Sequence, residues 1–212
     1  AKVGKKYIID WILESFSDVN IEPIIMIVGF QHDQLEKHLA DKGIKFIFNP
    51  FFEFGQVLSS FFFAIDHIST SKDLIFCHAD TIFEPMILNK LFKAEGEIIL
   101  PFDRHECDDE AMKVKLDQKG YIIEINKEIN LKKSDGEFIG LALVRKSFIP
   151  MLLEISKKLI VEGNLDAYFE QALQVASNRS LVKLQGLDIS GMRWCEIDSP
   201  EDLEIARSIK WG

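Results

Sequence analysis

The chain has 212 residues and a net charge of −9, from 25 basic and 34 acidic side chains. An apolar share of 47% supports a real core and a charged share of 28% a solvated surface, which excludes a disordered or fibrous chain. The acidic balance also argues against a dedicated nucleic-acid binder, which needs a basic face, but leaves small anionic substrates open because a metal ion can supply positive charge.

In chain order, Tyr7, Ile8, Trp11, Ile12 and Phe16 form a helical stripe. Residues 23–28 (PIIMIV) are a continuous apolar run of strand length, followed by Gly29. A helix is expected over 31–39, a strand over 45–48 and a Phe-rich helix over 55–67. A strand at 74–77, a helix at 84–93 and a strand at 97–100 follow. This alternation predicts a mostly parallel sheet covered on both faces. The second half differs. Residues 112–116 and 121–126 alternate around Gln118-Lys119-Gly120 as a hairpin. Residues 137–144 read as a further strand, 149–159 and 165–176 as helices, and 193–197 as a late strand. Ser199-Pro200-Glu201-Asp202 opens a closing helix, with Ser as N-cap, Pro in the first position and acids in the first turn. No repeat or Pro/Gly-rich linker divides the chain. Residues 1–212 therefore read as a single α/β domain, a three-layer α/β/α sandwich with a mostly parallel central sheet and antiparallel additions.

Three cysteines, Cys77, Cys107 and Cys195, contain no C-x-x-C pair. A disulfide scaffold or zinc ribbon is not expected, and a cytoplasmic setting is. No apolar run approaches the ~18 residues of a membrane span. Ligands of open parallel sheets bind beyond the carboxyl ends of the strands. Asp80 ends the run Leu74 to Asp80, and Asp198 ends the run Trp194 to Asp198. Two strand-end carboxylates suit Mg²⁺, which binds one or two carboxylates plus substrate phosphates. The alternative is that Asp80 starts a turn and Asp198 belongs to the cap of the last helix. His78 and Cys77 read as packing residues, since no third ligand stands at metal spacing. The stripe Phe61-Phe62-Phe63 reads as core.

Several segments then appear in a telling order. They are Lys5-Lys6-Tyr7-Ile8-Ile9-Asp10-Trp11, Ile27-Val28-Gly29-Phe30, Asn49-Pro50-Phe51-Phe52-Glu53 with Ser60 to Ala64, and Ala79-Asp80. Further on come Met112-Lys113-Val114 with Ile125 to Ile129, Gly136-Glu137-Phe138-Ile139-Gly140, and Glu196-Ile197-Asp198-Ser199-Pro200-Glu201-Asp202-Leu203. Together they resemble the sugar-phosphate-type nucleotidyltransferases, whose fold is GT-A-like, or nucleotide-diphospho-sugar transferase-like. The subgroup most resembled contains the choline-phosphate and inositol-phosphate cytidylyltransferases.

The resemblance implies that a nucleoside triphosphate, CTP by preference, and a phosphorylated alcohol or sugar give a nucleotide-linked product and pyrophosphate. It implies Asp80 and Asp198 as Mg²⁺ ligands and Lys127 as the catalytic residue facing the acceptor phosphate. Lys127 also reads as a solvated hairpin lysine. Gln56, Ser60 and Ala79 would lie near the nucleotide, although helix capping accounts for Gln56 and Ser60 as well. Glu137, Tyr168 and Glu170 would lie on the acceptor side, with helical surface as the simpler account of the last two. Gly55-Gln56 is closer to the molybdopterin nucleotidyltransferases, so the base stays open. By comparison with the family, the glycine-rich triphosphate loop and Pro-Lys pair would precede Ala1, which implies an N-terminally truncated form. Two further readings are an inactive binding module on the same fold and, last, a glycosyltransferase, for which Asp80-Thr81-Ile82 lacks the second Asp of an Asp-x-Asp motif. A homodimer is an open assembly.

Overall fold

The structure, a computed structural model, describes residues 1–17, 19 and 21–211. A short hairpin of β1 (Lys2–Val3) and β2 (Lys6–Tyr7) leads into α1 (Ile8–Ser15). Next come β3 (Ile25–Val28), α2 (His32–His38), β4 (Lys45–Phe48), α3 (Val57–Ala64), β5 (Leu74–Cys77), β6 (Thr81–Phe83), α4 (Met86–Lys93) and β7 (Ile98–Asp103). The second half holds β8 (Lys113–Leu116), β9 (Tyr121–Asn126), β10 (Gly136–Phe138), β11 (Leu141–Val144), α5 (Ile149–Val161), α6 (Phe169–Asn178), β12 (Leu184–Asp188), β13 (Trp194–Glu196) and α7 (Pro200–Ser208). Two compact units result, each assembled from separate stretches of chain. The first comprises Ala1–Asn20, Ile75–Arg145 and Lys183–Gly212, and the second Ile21–Leu74 and Lys146–Val182. Among the described residues no helix is long and apolar enough to cross a membrane.

The first unit is built on a seven-stranded sheet in the order β10-β8-β9-β12-β7-β11-β5, with β10 also pairing with β7. Its centre, β7, is the apolar run Ile98-Ile99-Leu100-Pro101-Phe102, buried throughout because layers cover both faces. β12 lies parallel to β7 over five residues, from Leu184 opposite Ile98 to Asp188 opposite Phe102. The hairpin β8–β9 pairs antiparallel, as does β11 with β7. Ile87, Leu88 and Leu91 of α4 pack with Ile99, Leu141 and Leu143, as expected of an amphipathic helix laid on a sheet. A separate antiparallel pair joins β6 to β13.

The second unit has a two-stranded parallel sheet, β3 and β4, in register from Ile25 opposite Lys45 to Val28 opposite Phe48. Helices α3, α5 and α6 pack together in it. Its centre is aromatic: the Phe61 and Phe169 rings stand edge to face at 5.0 Å, a favoured arrangement of ring quadrupoles.

Several elements differ from the pattern in the sequence. Strand β7 does not stop at Leu100 but runs through Pro101. Pro101 lacks an N–H, yet its carbonyl still accepts from the Ile139 amide at 3.4 Å. Residues 137–144 form two strands rather than one, because Gly140 takes φ +73° between β10 and β11. Strand β12 carries no alternation that would mark it. Gly186 sits within it where a Cβ would meet Phe102 Cε1 and Leu116 Cδ2 at 3.0 Å, so the residue that hides the strand is what lets it approach its neighbours. The antiparallel share is larger than the strand–helix alternation of the first half suggests.

Candidate active site in the first unit

The ladder between β6 and β13 sets the geometry. Glu196 stands opposite Thr81, Cys195 opposite Ile82 and Trp194 opposite Phe83. The register is fixed because Ile82, Phe83 and Thr81 are all buried. One step beyond, the Ile197 amide donates to the Asp80 carbonyl at 3.1 Å. Asp80 and Asp198, 118 positions apart in sequence, are thereby brought to the same end of one ladder. Asp80 lies in the turn between β5 and β6, not at the end of a strand; β5 stops at Cys77. Burial pushes the Asp80 carboxyl above its usual range, and the Glu196 charge adds to the rise. Burial also raises Asp198, with Glu196 and Asp80 contributing and Lys127 opposing.

His78 is not the packing residue that the sequence suggests. One ring nitrogen of His78 and one carboxylate oxygen each of Asp80 and Glu196 lie within 4.8 Å of one another. The His78 amide donates to the Gly140 carbonyl at 2.8 Å. A Cβ on Gly140 would stand 2.6 Å from His78 Nδ1, so glycine at this position makes room for the imidazole. Asp198 is outside this group of three, and its amide donates to Asp202 Oδ2 at 3.2 Å in the cap of α7. Ala79, between His78 and Asp80, is exposed.

A second cluster adjoins the carboxylates. Burial raises Glu137 to about 7, with Glu196, Asp108 and Asp103 adding to the rise and Lys113 opposing it. His105 Nε2 lies 2.9 Å from Glu137 Oε2, and its Nδ1 lies 3.6 Å from Asp103 Oδ2. The Trp194 indole donates to the same Asp103 oxygen at 2.9 Å. Lys127 follows β9 in a turn, with its Nζ 3.3 Å from Glu110 Oε2. Lys113 is fully buried and donates to the carbonyls of Asp108, Asp109 and Ala111 at 3.0–3.2 Å, which pins the loop that carries Glu110. Sequence reasoning missed His78, Glu196, Asp103, His105 and Trp194 as site residues. Asp103 carried the same signal as Asp80, a carboxylate closing a buried apolar run, but the early stop at Pro101 concealed it.

The remaining sequence candidates belong to the second unit. Gln56 is the N-cap of α3, and its side chain makes no capping bond; its amide donates to the Leu165 carbonyl at 2.9 Å. Ser60 Oγ accepts from Asn49 Nδ2 at 3.2 Å. Tyr168 is the N-cap of α6, its amide donating to Gln171 Oε1 at 3.0 Å. Glu170 is 1% exposed, so it is not the helical surface residue that its spacing suggested.

The model of the MobA-like NTP transferase domain matches residues 1–183. The chain belongs to this family. Among curated relatives of this NTP transferase chain, the CTP:phosphoglutamine cytidylyltransferase of Campylobacter jejuni is 25% identical, over 94% of this chain and 87% of that protein. The bifunctional IPC transferase and DIPP synthase of Rubrobacter xylanophilus is 24% identical over 89% of this chain, which spans 42% of that protein. Two solved structures share the fold at a TM-score of 0.78. The inositol-1-phosphate CTP transferase from T. maritima is 23% identical, covering 100% of this chain and 88% of that one. The CTP:phosphocholine cytidylyltransferase from Streptococcus pneumoniae is 19% identical, covering 97% and 86%. The NTP transferase fold expected from the sequence motifs is thus the fold observed. Nucleotidyltransferases of this family generally depend on a divalent metal. The residues here fit one: hard oxygen donors converge, the Glu196 charge adds to the rise of both Asp80 and Asp198, and a cation among them would relieve that repulsion.

Proposed function

We propose that the chain transfers CMP from CTP to a small phosphorylated acceptor, with release of pyrophosphate. The observation that carries this reading is the β6–β13 ladder, which gathers Asp80, Glu196 and Asp198 in a chain of the NTP transferase family. The curated cytidylyltransferase relative, matched over most of both chains, supports cytosine as the base. The chain passes repeatedly between its two units, which supports reading 1–212 as one catalytic domain.

On this reading an oxygen of the acceptor phosphate attacks the α-phosphorus in line, the new P–O bond forms and pyrophosphate leaves. Positioning and charge neutralisation do most of the catalytic work in such transfers. Mg²⁺ is the proposed metal, and when bound it neutralises the triphosphate charge; Asp80, Glu196 and Asp198 would hold it. Lys127, whose charge reaches Asp198, faces the acceptor phosphate. Glu137 is the acceptor-side carboxyl, oriented by His105.

The test is pyrophosphate release and product mass with CTP or GTP against phosphocholine, inositol phosphate and phosphoglutamine in turn. A CDP-linked product from at least one acceptor, with GTP inactive, is expected. Turnover with GTP alone would overturn the base assignment. No product from any pair would overturn the proposed reaction.

A further inference from the structure

We propose that His78 is a direct nitrogen ligand of the divalent cation, forming with Asp80 and Glu196 a mixed nitrogen–oxygen site. The inference rests on reading this cluster as the metal centre of a nucleotidyltransferase and adds to it a ligand.

Three observations carry it. The first is spacing. His78 Nδ1 lies 3.6 Å from Glu196 Oε1, too far for a hydrogen bond and near the separation of two ligands on one ion. A cation with bonds of about 2.1 Å holds its ligands roughly 3 Å apart when adjacent and about 4.2 Å apart when opposite. The three donor atoms, all within 4.8 Å, reach those separations by side-chain adjustments of under about 1 Å.

The second is backbone control. His78 follows β5, Asp80 precedes β6 and Glu196 ends β13. Two donors thus come from one short turn and the third from a distant strand, held together by the β6–β13 ladder and by the His78 amide bond to Gly140.

The third is the imidazole cradle. Gly140 leaves open the space that a Cβ would fill at 2.6 Å from Nδ1. The Phe76 ring stands edge to face against the imidazole at 5.4 Å. The His78 side chain is 17% exposed, so its orientation is set by protein, not solvent.

Mn²⁺ shares the carboxylate preference of Mg²⁺ and is paramagnetic, which makes it the probe of whether the imidazole joins the two carboxylates as a ligand.

The experiment is electron paramagnetic resonance on the intact protein titrated with Mn²⁺ alone. Free Mn²⁺ gives the affinity, and competition by Mg²⁺ is expected, since the two ions share the site. Pulsed measurement of the bound ion is expected to show the hyperfine coupling of a directly bound imidazole nitrogen, changing isotope pattern when histidine is ¹⁵N-labelled. His78→Gln should abolish that coupling and weaken Mn²⁺ by at least about 10-fold, the scale on which metal sites respond to loss of a supporting residue. The wild-type coupling is informative even if the variant folds poorly. An all-oxygen signature, no Mn²⁺ binding at millimolar concentration, or a nitrogen signal persisting in His78→Gln would overturn the inference. Turnover of CTP with an all-oxygen Mn²⁺ signature would sink this inference alone; nitrogen ligation without turnover on any acceptor would sink the proposed reaction alone.

Discussion

In the first unit, Asp80, Glu196, Asp198, Asp103 and Glu137 crowd around neighbouring strands and turns, and burial with mutual repulsion raises three of them above their usual range. In the second unit, the polar residues of α3 and α6 that the sequence singles out bind local groups. The Gln56 and Tyr168 amides each have a nearby acceptor, and Ser60 accepts from Asn49. The difference lies in what holds each residue. A local hydrogen bond ties such a group to its own surroundings. The crowded carboxylates, even where His105 or Trp194 binds one of them, carry a repulsion that a cation would offset. Chemistry is therefore expected from the first unit, and the stability of the second from its aromatic packing.

The largest expected effect tests that packing. Phe169→Ala removes a fully buried ring from its contact with Phe61 and should cost about 3–5 kcal/mol, read as a lower urea midpoint. A loss under about 1 kcal/mol would mean that the aromatic centre does not hold the second unit together.

Asp80→Asn addresses the first unit. It should lower turnover by roughly 10²–10³-fold, the size of one lost charge-stabilising group, while leaving thermal stability unchanged or higher because it removes one repelling charge. A variant that keeps its turnover would break the contrast between the two units.

Glu137 gives a pH signature. Its folded pKa of about 7 lies above the ordinary value of 4.5. Between those two values the folded protein holds a proton that the unfolded chain has released, so stability falls as pH rises through this window. The loss should be on the order of 2 kcal/mol between pH 4.5 and pH 7. Urea titrations of wild type and Glu137→Gln at pH 5 and pH 8 compare the slopes, and the variant should show the flatter dependence. Equal slopes would show that Glu137 ionises normally.

The smallest effect is expected from Ser60→Ala. It leaves Asn49 Nδ2 without this acceptor and should cost about 1 kcal/mol, with turnover of CTP nearly unchanged. If it impairs turnover as strongly as Asp80→Asn, Ser60 belongs to the chemistry and the division between the units fails.

The sequence by itself determined the fold family and most elements. Buried strands show as apolar runs and helices as stripes, both local in the chain, and the cap at Ser199 forms as its residues dictate, with Asp202 donating to Ser199 Oγ at 3.1 Å. It also marked Asp80 and Asp198, because the motifs around them are contiguous. It could not reveal β12, whose stability comes from pairing with β7, nor the passage of β7 through Pro101, whose carbonyl depends on the Ile139 amide donor supplied across the sheet. His78 was invisible as a ligand for the same reason. Its partners stand 2 and 118 positions away, and its space is made by a glycine 62 positions on. Proximity between distant segments is created by strand register, and register is decided only when the buried faces of β6 and β13 meet.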